Sequence, residues 1–137
     1  TNKIEQFDPL WGEWARWSDL YANATGIEAG TQASTSKGEW TNLDKFNVGH
    51  SIKLSPEWTV TGDYFFLLAP EHPLAGSDER FGNGYVRGHL LEAYLKYQCS
   101  KQFSAYLQGE YFFPGNYYSP DDRDEALFVR LNIEYVF

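Results

Sequence analysis

The chain has 137 residues, the length of one ordinary domain, with a net charge of −8 and no Met. That charge, with no basic face evident, argues against nucleic acid as a partner. The single Cys, Cys99, excludes an intramolecular disulfide framework and a Cys-based zinc site. Five Trp, ten Tyr and ten Phe sit in a chain whose mean hydropathy is −0.52. Aromatic richness without long apolar runs fits a transmembrane barrel, in which only alternate residues face lipid. A secreted or periplasmic β-sandwich is the alternative. The longest apolar stretch, residues 64–69, falls far short of the ~20 residues a spanning helix needs. Thr1-Asn2-Lys3-Ile4-Glu5 is not a signal peptide, so for an exported protein this start is a mature end or an internal cut.

In chain order, residues 1–18 read as a Trp-rich loop or short helix, with Trp11, Trp14 and Trp17 at a spacing of three. Residues 19–137 read as strands, the weakest of them within 19–29, followed by a small polar loop over 30–38. From Leu43 to Leu54, Phe46, Val48, Ile52 and Leu54 alternate with Lys45, Asn47, Ser51 and Lys53, and His50 interrupts the apolar set. From Glu57 to Ala69, Trp58, Val60, Gly62, Tyr64, Phe66 and Leu68 alternate with Thr59, Thr61, Asp63 and Phe65. From Tyr85 to Cys99, Leu91, Ala93, Leu95 and Tyr97 point one way and Glu92, Tyr94, Lys96 and Gln98 the other. Residues 102–114 and 127–137 continue the pattern, the last with Leu127, Val129, Leu131, Ile133, Tyr135 and Phe137 on the apolar face. Period-two alternation is the mark of a strand with two unlike faces.

The links at Ser55-Pro56 and at residues 98–101 are short, whereas 70–84 and 114–125 are long and rich in Gly, Pro, Asp and Asn. Short turns on one side and long loops on the other are the habit of outer-membrane barrels. The expected fold is therefore all-β, an antiparallel up-and-down transmembrane β-barrel segment of about five or six strands. A closed membrane barrel needs at least ~8 strands. The chain is accordingly expected to be the C-terminal fragment of a larger barrel, or else one part of an oligomeric barrel.

The strand ending in Tyr135 and Phe137 looks like the terminal signature read by the barrel-assembly machinery, an expected partner together with outer-membrane lipids. Three segments are more particular: Phe7-Asp8-Pro9-Leu10-Trp11-Gly12 leading to Trp17-Ser18-Asp19-Leu20-Tyr21, then Arg87-Gly88-His89-Leu90-Leu91, then Glu110-Tyr111-Phe112-Phe113-Pro114-Gly115-Asn116-Tyr117-Tyr118. Together they resemble the C-terminal region of alginate-export-type outer-membrane proteins. The resemblance implies a large single-chain barrel in the bacterial outer membrane, some of whose members export an anionic polysaccharide through a basic lumen.

The function expected is porin- or exporter-type passage of a polar solute or polysaccharide, with an adhesion or binding barrel as the alternative. Pore-lining candidates are Lys45, Lys53, Asp63, Glu92, Lys96, Glu110, Arg130 and Glu134, a mixed set joined by Glu57. These charges either line a selective path or pair across neighbouring strands. Trp11, Trp14 and Trp17 either stack on sugar rings or bury one helical face. His50 and His89 fall on the apolar face, where no Ser completes a convincing hydrolase arrangement, so no enzyme is expected. Arg87 and His89 are the only residues that suit a basic girdle for lipopolysaccharide. Asp121-Asp122-Arg123-Asp124-Glu125 reads as a solvated acidic loop and lacks the spacing of a calcium loop. Gly82-Asn83-Gly84 reads as a turn. No metal or cofactor is expected.

Overall fold

A computed structural model describes residues 17–21, 43–71 and 81–137. Its core is one five-stranded sheet in the order β1-β2-β3-β4-β5, made of β1 (Asp44–Lys53), β2 (Trp58–Leu68), β3 (Val86–Gln98), β4 (Phe103–Pro114) and β5 (Ala126–Tyr135). Every neighbouring pair is antiparallel, so the chain runs up and down without a crossover. The sheet is open: among the described residues, β1 and β5 each have a partner on one side only. Strands of 10–13 residues exceed the ~5–6 usual in soluble proteins. The alternation predicted each of these five strands to within a residue or two at either end.

The two short turns use the same chemistry. At the first, the Ser55 hydroxyl accepts from the backbone N–H of Glu57 (3.2 Å) and Trp58 (3.2 Å). At the second, Ser100 accepts from Gln102 (3.2 Å) and Phe103 (3.1 Å). Serine thus supplies acceptors where the ladder bonds end, which fixes a tight reversal. Such turns set the register of each hairpin, and register decides which side chains share a face.

The two faces are unlike. On one, Phe46, Val48, Ile52, Leu91, Leu95, Leu107, Leu127, Val129, Leu131 and Ile133 are all exposed, Val48 at 77% and Leu131 at 67%. The other carries the polar residues toward the short turns and a small apolar core toward the long loops. That core comprises Tyr21, Phe65, Leu67, Ala69, Leu90, Phe112, Tyr117 and Tyr118.

The long loops are fastened to one another. Phe81 bridges to Tyr118, and the N–H groups of Gly82 and Gly84 donate to the carbonyls of Tyr117 (2.8 Å) and Asn116 (2.9 Å). A Cβ at Gly82 would run into the Asn116 and Tyr118 carbonyls, and one at Gly84 into the Asn116 side chain. Pro120–Asp122 forms a single 3-10 turn in the acidic loop.

One irregularity redirects a side chain. Leu67 pairs with Gly88 but Leu68 pairs with Val86, so Arg87 is the extra residue of a β-bulge. Gly88 has φ +148°, a conformation that L side chains rarely adopt. The bulge shifts parity, and Arg87 ends 5% exposed on the inner side. It is not part of a basic girdle on the apolar face.

Candidate functional site: the polar inner face and its docked turn

Register places the inner charges in rungs across the strands. One rung is Gly49–Asp63–Glu92–Glu110–Phe128, in which three acids are direct cross-strand neighbours. The next toward the short turns is Ser51–Thr61–Tyr94–Gln108–Arg130, and beyond it lies Lys53–Thr59–Lys96–Tyr106–Asn132. Like charges placed opposite one another destabilise a sheet unless something offsets them.

The offset comes mainly from residues 17–21. Ser18 is an N-cap: its hydroxyl accepts from the N–H of Tyr21 at 2.9 Å, closing a helical turn at Asp19, Leu20 and Tyr21. This turn docks on Glu110, whose carboxylate accepts from the Ser18 hydroxyl and from the N–H groups of Asp19 (2.9 Å) and Leu20 (3.0 Å). Glu110 is only 1% exposed, so its charge is satisfied by donors and not by water. Gln108, equally buried, donates its amide toward Glu110 (2.6 Å), Asp19 (3.2 Å) and Glu92 (3.3 Å). The Tyr94 hydroxyl donates to Glu92 at 2.7 Å. Asp63 lies across Gly49, where a Cβ would collide with its carboxylate.

Among the described residues no ion pair joins neighbouring strands. Arg130 reaches instead to Asp19 of the docked turn, with NH1–Oδ2 at 2.8 Å and NH2–Oδ1 at 3.0 Å. Lys96 sits over the Tyr94 ring at 5.1 Å, and Lys45 over Trp17 at 4.5 Å and Phe65 at 5.4 Å. Lys53 and Glu134 are exposed in β1 and β5, and Glu57 lies in the first turn, bonded to Ser55 at 2.9 Å. Trp17 packs between Tyr21 and Phe65, each at 5.3 Å, so its ring is engaged; Trp11 and Trp14 lie outside the described residues. Of the segment 19–29, within which a weak strand is expected, Asp19, Leu20 and Tyr21 are helical and 22–29 lie outside the described residues.

Sequence reasoning did not select Ser18, Tyr21, Gln108 or Tyr117, and considered Arg87 only for a basic girdle. Arg87 donates to the Tyr21 hydroxyl (2.9 Å) and to that of Tyr117 (3.4 Å), and its guanidinium stacks 4.5 Å over the Tyr117 ring. The turn is thus held at one end by this cluster and at the other by Glu110 and Arg130. A usable signal existed: Ser18 before Asp19 is a helix-start pattern.

On the apolar face, His89 stacks on Phe66 (5.1 Å) and meets the Tyr64 hydroxyl at 2.6 Å through Nδ1. Tyr135 and Phe137 contact each other edge to face at 5.3 Å, both exposed. Among the described residues no group of His, Cys, Asp and Glu is arranged to hold a metal ion; the acid rung is a line and not a cage. No protein-family model, curated protein or solved structure matches this chain.

Proposed function

We propose that this sheet is part of the wall of a bacterial outer-membrane β-barrel of the alginate-export type, passing a polar solute across the membrane. The observation that carries the reading is the exposed apolar face spanning all five strands, opposite a face that holds Asp63, Glu92, Glu110, Lys96 and Arg130. In water such a face is a large unexplained apolar patch, whereas in a bilayer it is the required exterior. Strand length and the alternation of short turns with long loops support the same reading. Open edges are not tolerated in lipid, so further strands would complete the wall on both sides.

For the solute, bases and acids share the inner face. The acid rung at mid-height disfavours a polyanion beside this part of the wall and suits a neutral or weakly charged polar molecule, a neutral saccharide included. The docked turn favours a second reading, in which the interior is filled and the fastened outer loops serve adhesion or binding. Ion conductance of the protein in planar bilayers separates the two: steps in current support passage, and a silent membrane supports the binding barrel.

Leu131→Arg tests the membrane reading directly. Leu131 is 67% exposed at the middle of β5, so in water this change is nearly neutral. At the bilayer midplane it costs ~2–4 kcal/mol. A reduced urea midpoint in lipid vesicles is the expected result, and unchanged stability there would sink the lipid-facing assignment.

A further inference from the structure

We infer that the turn at Ser18–Tyr21 is a releasable latch which governs passage along the inner face, with the Asp19–Arg130 pair as its catch. This rests on the passage reading above. The turn's grip has two unlike parts. Tyr21, 1% exposed, sits in the apolar core against Phe112 (5.6 Å) and under Arg87, forming an anchor. Asp19 meets Arg130 through side chains 35% and 41% exposed, within reach of water and salt. Between them, Glu110 holds the turn through hydrogen bonds alone.

Both states of such a contact are satisfiable. Docked, Glu110 is capped by the turn and Asp19 is neutralised by Arg130. Released into a wet interior, both carboxylates and the guanidinium regain water, so opening strands no charge in a dry site. Tyr21 keeps the turn tethered, and redocking therefore stays local. The same movement uncovers the acid rung at Glu110 and Glu92, which alters both the width and the charge of the path at that height.

The test measures hydrogen exchange at the Asp19 and Leu20 amides together with planar-bilayer conductance, for the natural protein and for Asp19→Asn and Arg130→Gln. Weakening an exposed, two-pronged ion pair is expected to speed exchange at these amides about fivefold. Time spent in the conducting state should rise by a similar factor, and raised salt should do the same to the unmodified protein. Unchanged exchange in both variants overturns the latch. Faster exchange with unaltered conductance shows a turn that opens without governing passage, and also overturns it. Silence from all three proteins, whatever the exchange, removes the passage reading itself and the latch with it.

Discussion

Replacing Glu110 by Ala is expected to undock the Ser18–Tyr21 turn while leaving the five strands paired. The carboxylate accepts from one hydroxyl, two backbone N–H groups and the Gln108 amide at a site 1% exposed. Alanine strands those donors and also removes the counterweight to Gln108, which then serves only Asp19 and Glu92. Leaving one buried hydroxyl and two half-buried amides unmet costs about 3 kcal/mol, more than the rest of so short a segment can sustain. Accordingly the amides of Asp19, Leu20 and Tyr21 should lose their protection against exchange, and thermal unfolding should begin with an added low-temperature step. Glu110→Gln keeps the shape and one acceptor, so it should fall between. A turn that stays protected in Glu110→Ala would show that Tyr21 and Arg87 suffice to hold it.

Gly88→Ala should damage the sheet itself. Its φ of +148° is a conformation that L residues rarely adopt, and a Cβ would run into the Phe113 carbonyl and lie 2.8 Å from the Phe112 ring. Backbone strain and overpacking together cost about 2–4 kcal/mol. Because Gly88 directs the bulge that turns Arg87 inward, the substitution should also loosen the bonds from Arg87 to Tyr21 and Tyr117. Urea unfolding gives the stability loss. Near-ultraviolet dichroism, which reports the packing of the Tyr21, Phe112 and Tyr117 cluster, gives the second effect. An unshifted urea midpoint would mean that β3 accommodates the bulge in another way.

The strands and their faces were legible because alternation is a local property. In β5 from Leu127 to Ile133 and in β2 from Gly62 to Leu68 the more exposed residues are the ones parity names, whereas β1 is exposed along its whole length. What parity cannot show is where it breaks. Arg87-Gly88-His89 looks regular in sequence, and only the backbone of Gly88 reveals that Arg87 and His89 point to opposite sides. The facing of Glu92 and Glu110 was derivable in principle, since the turn at Ser100 fixes the β3–β4 register. Pairing of opposite charges across strands was one of two readings open from the residues, and it is the cheaper arrangement for a bare sheet. The sheet is not bare: the compensating donors come from residues some ninety positions earlier in the chain, as in the bond from Ser18 to Glu110. No local pattern signals a contact of that span. Ser18 advertises a helix start, but not the surface on which the helix turn lands.

On the proposed barrel reading, the strand count also restricts how the sheet can be closed. Four antiparallel steps separate β1 from β5, so these two edge strands point the same way. Two five-stranded sheets of this kind set side by side around one axis would meet parallel, strand against strand. A seam that preserves antiparallel pairing all round needs an odd number of additional strands, whichever segment supplies them. The outer-membrane preference for even totals then follows as arithmetic. Simple doubling of this sheet, with every copy inserted in the same sense, cannot produce an all-antiparallel barrel.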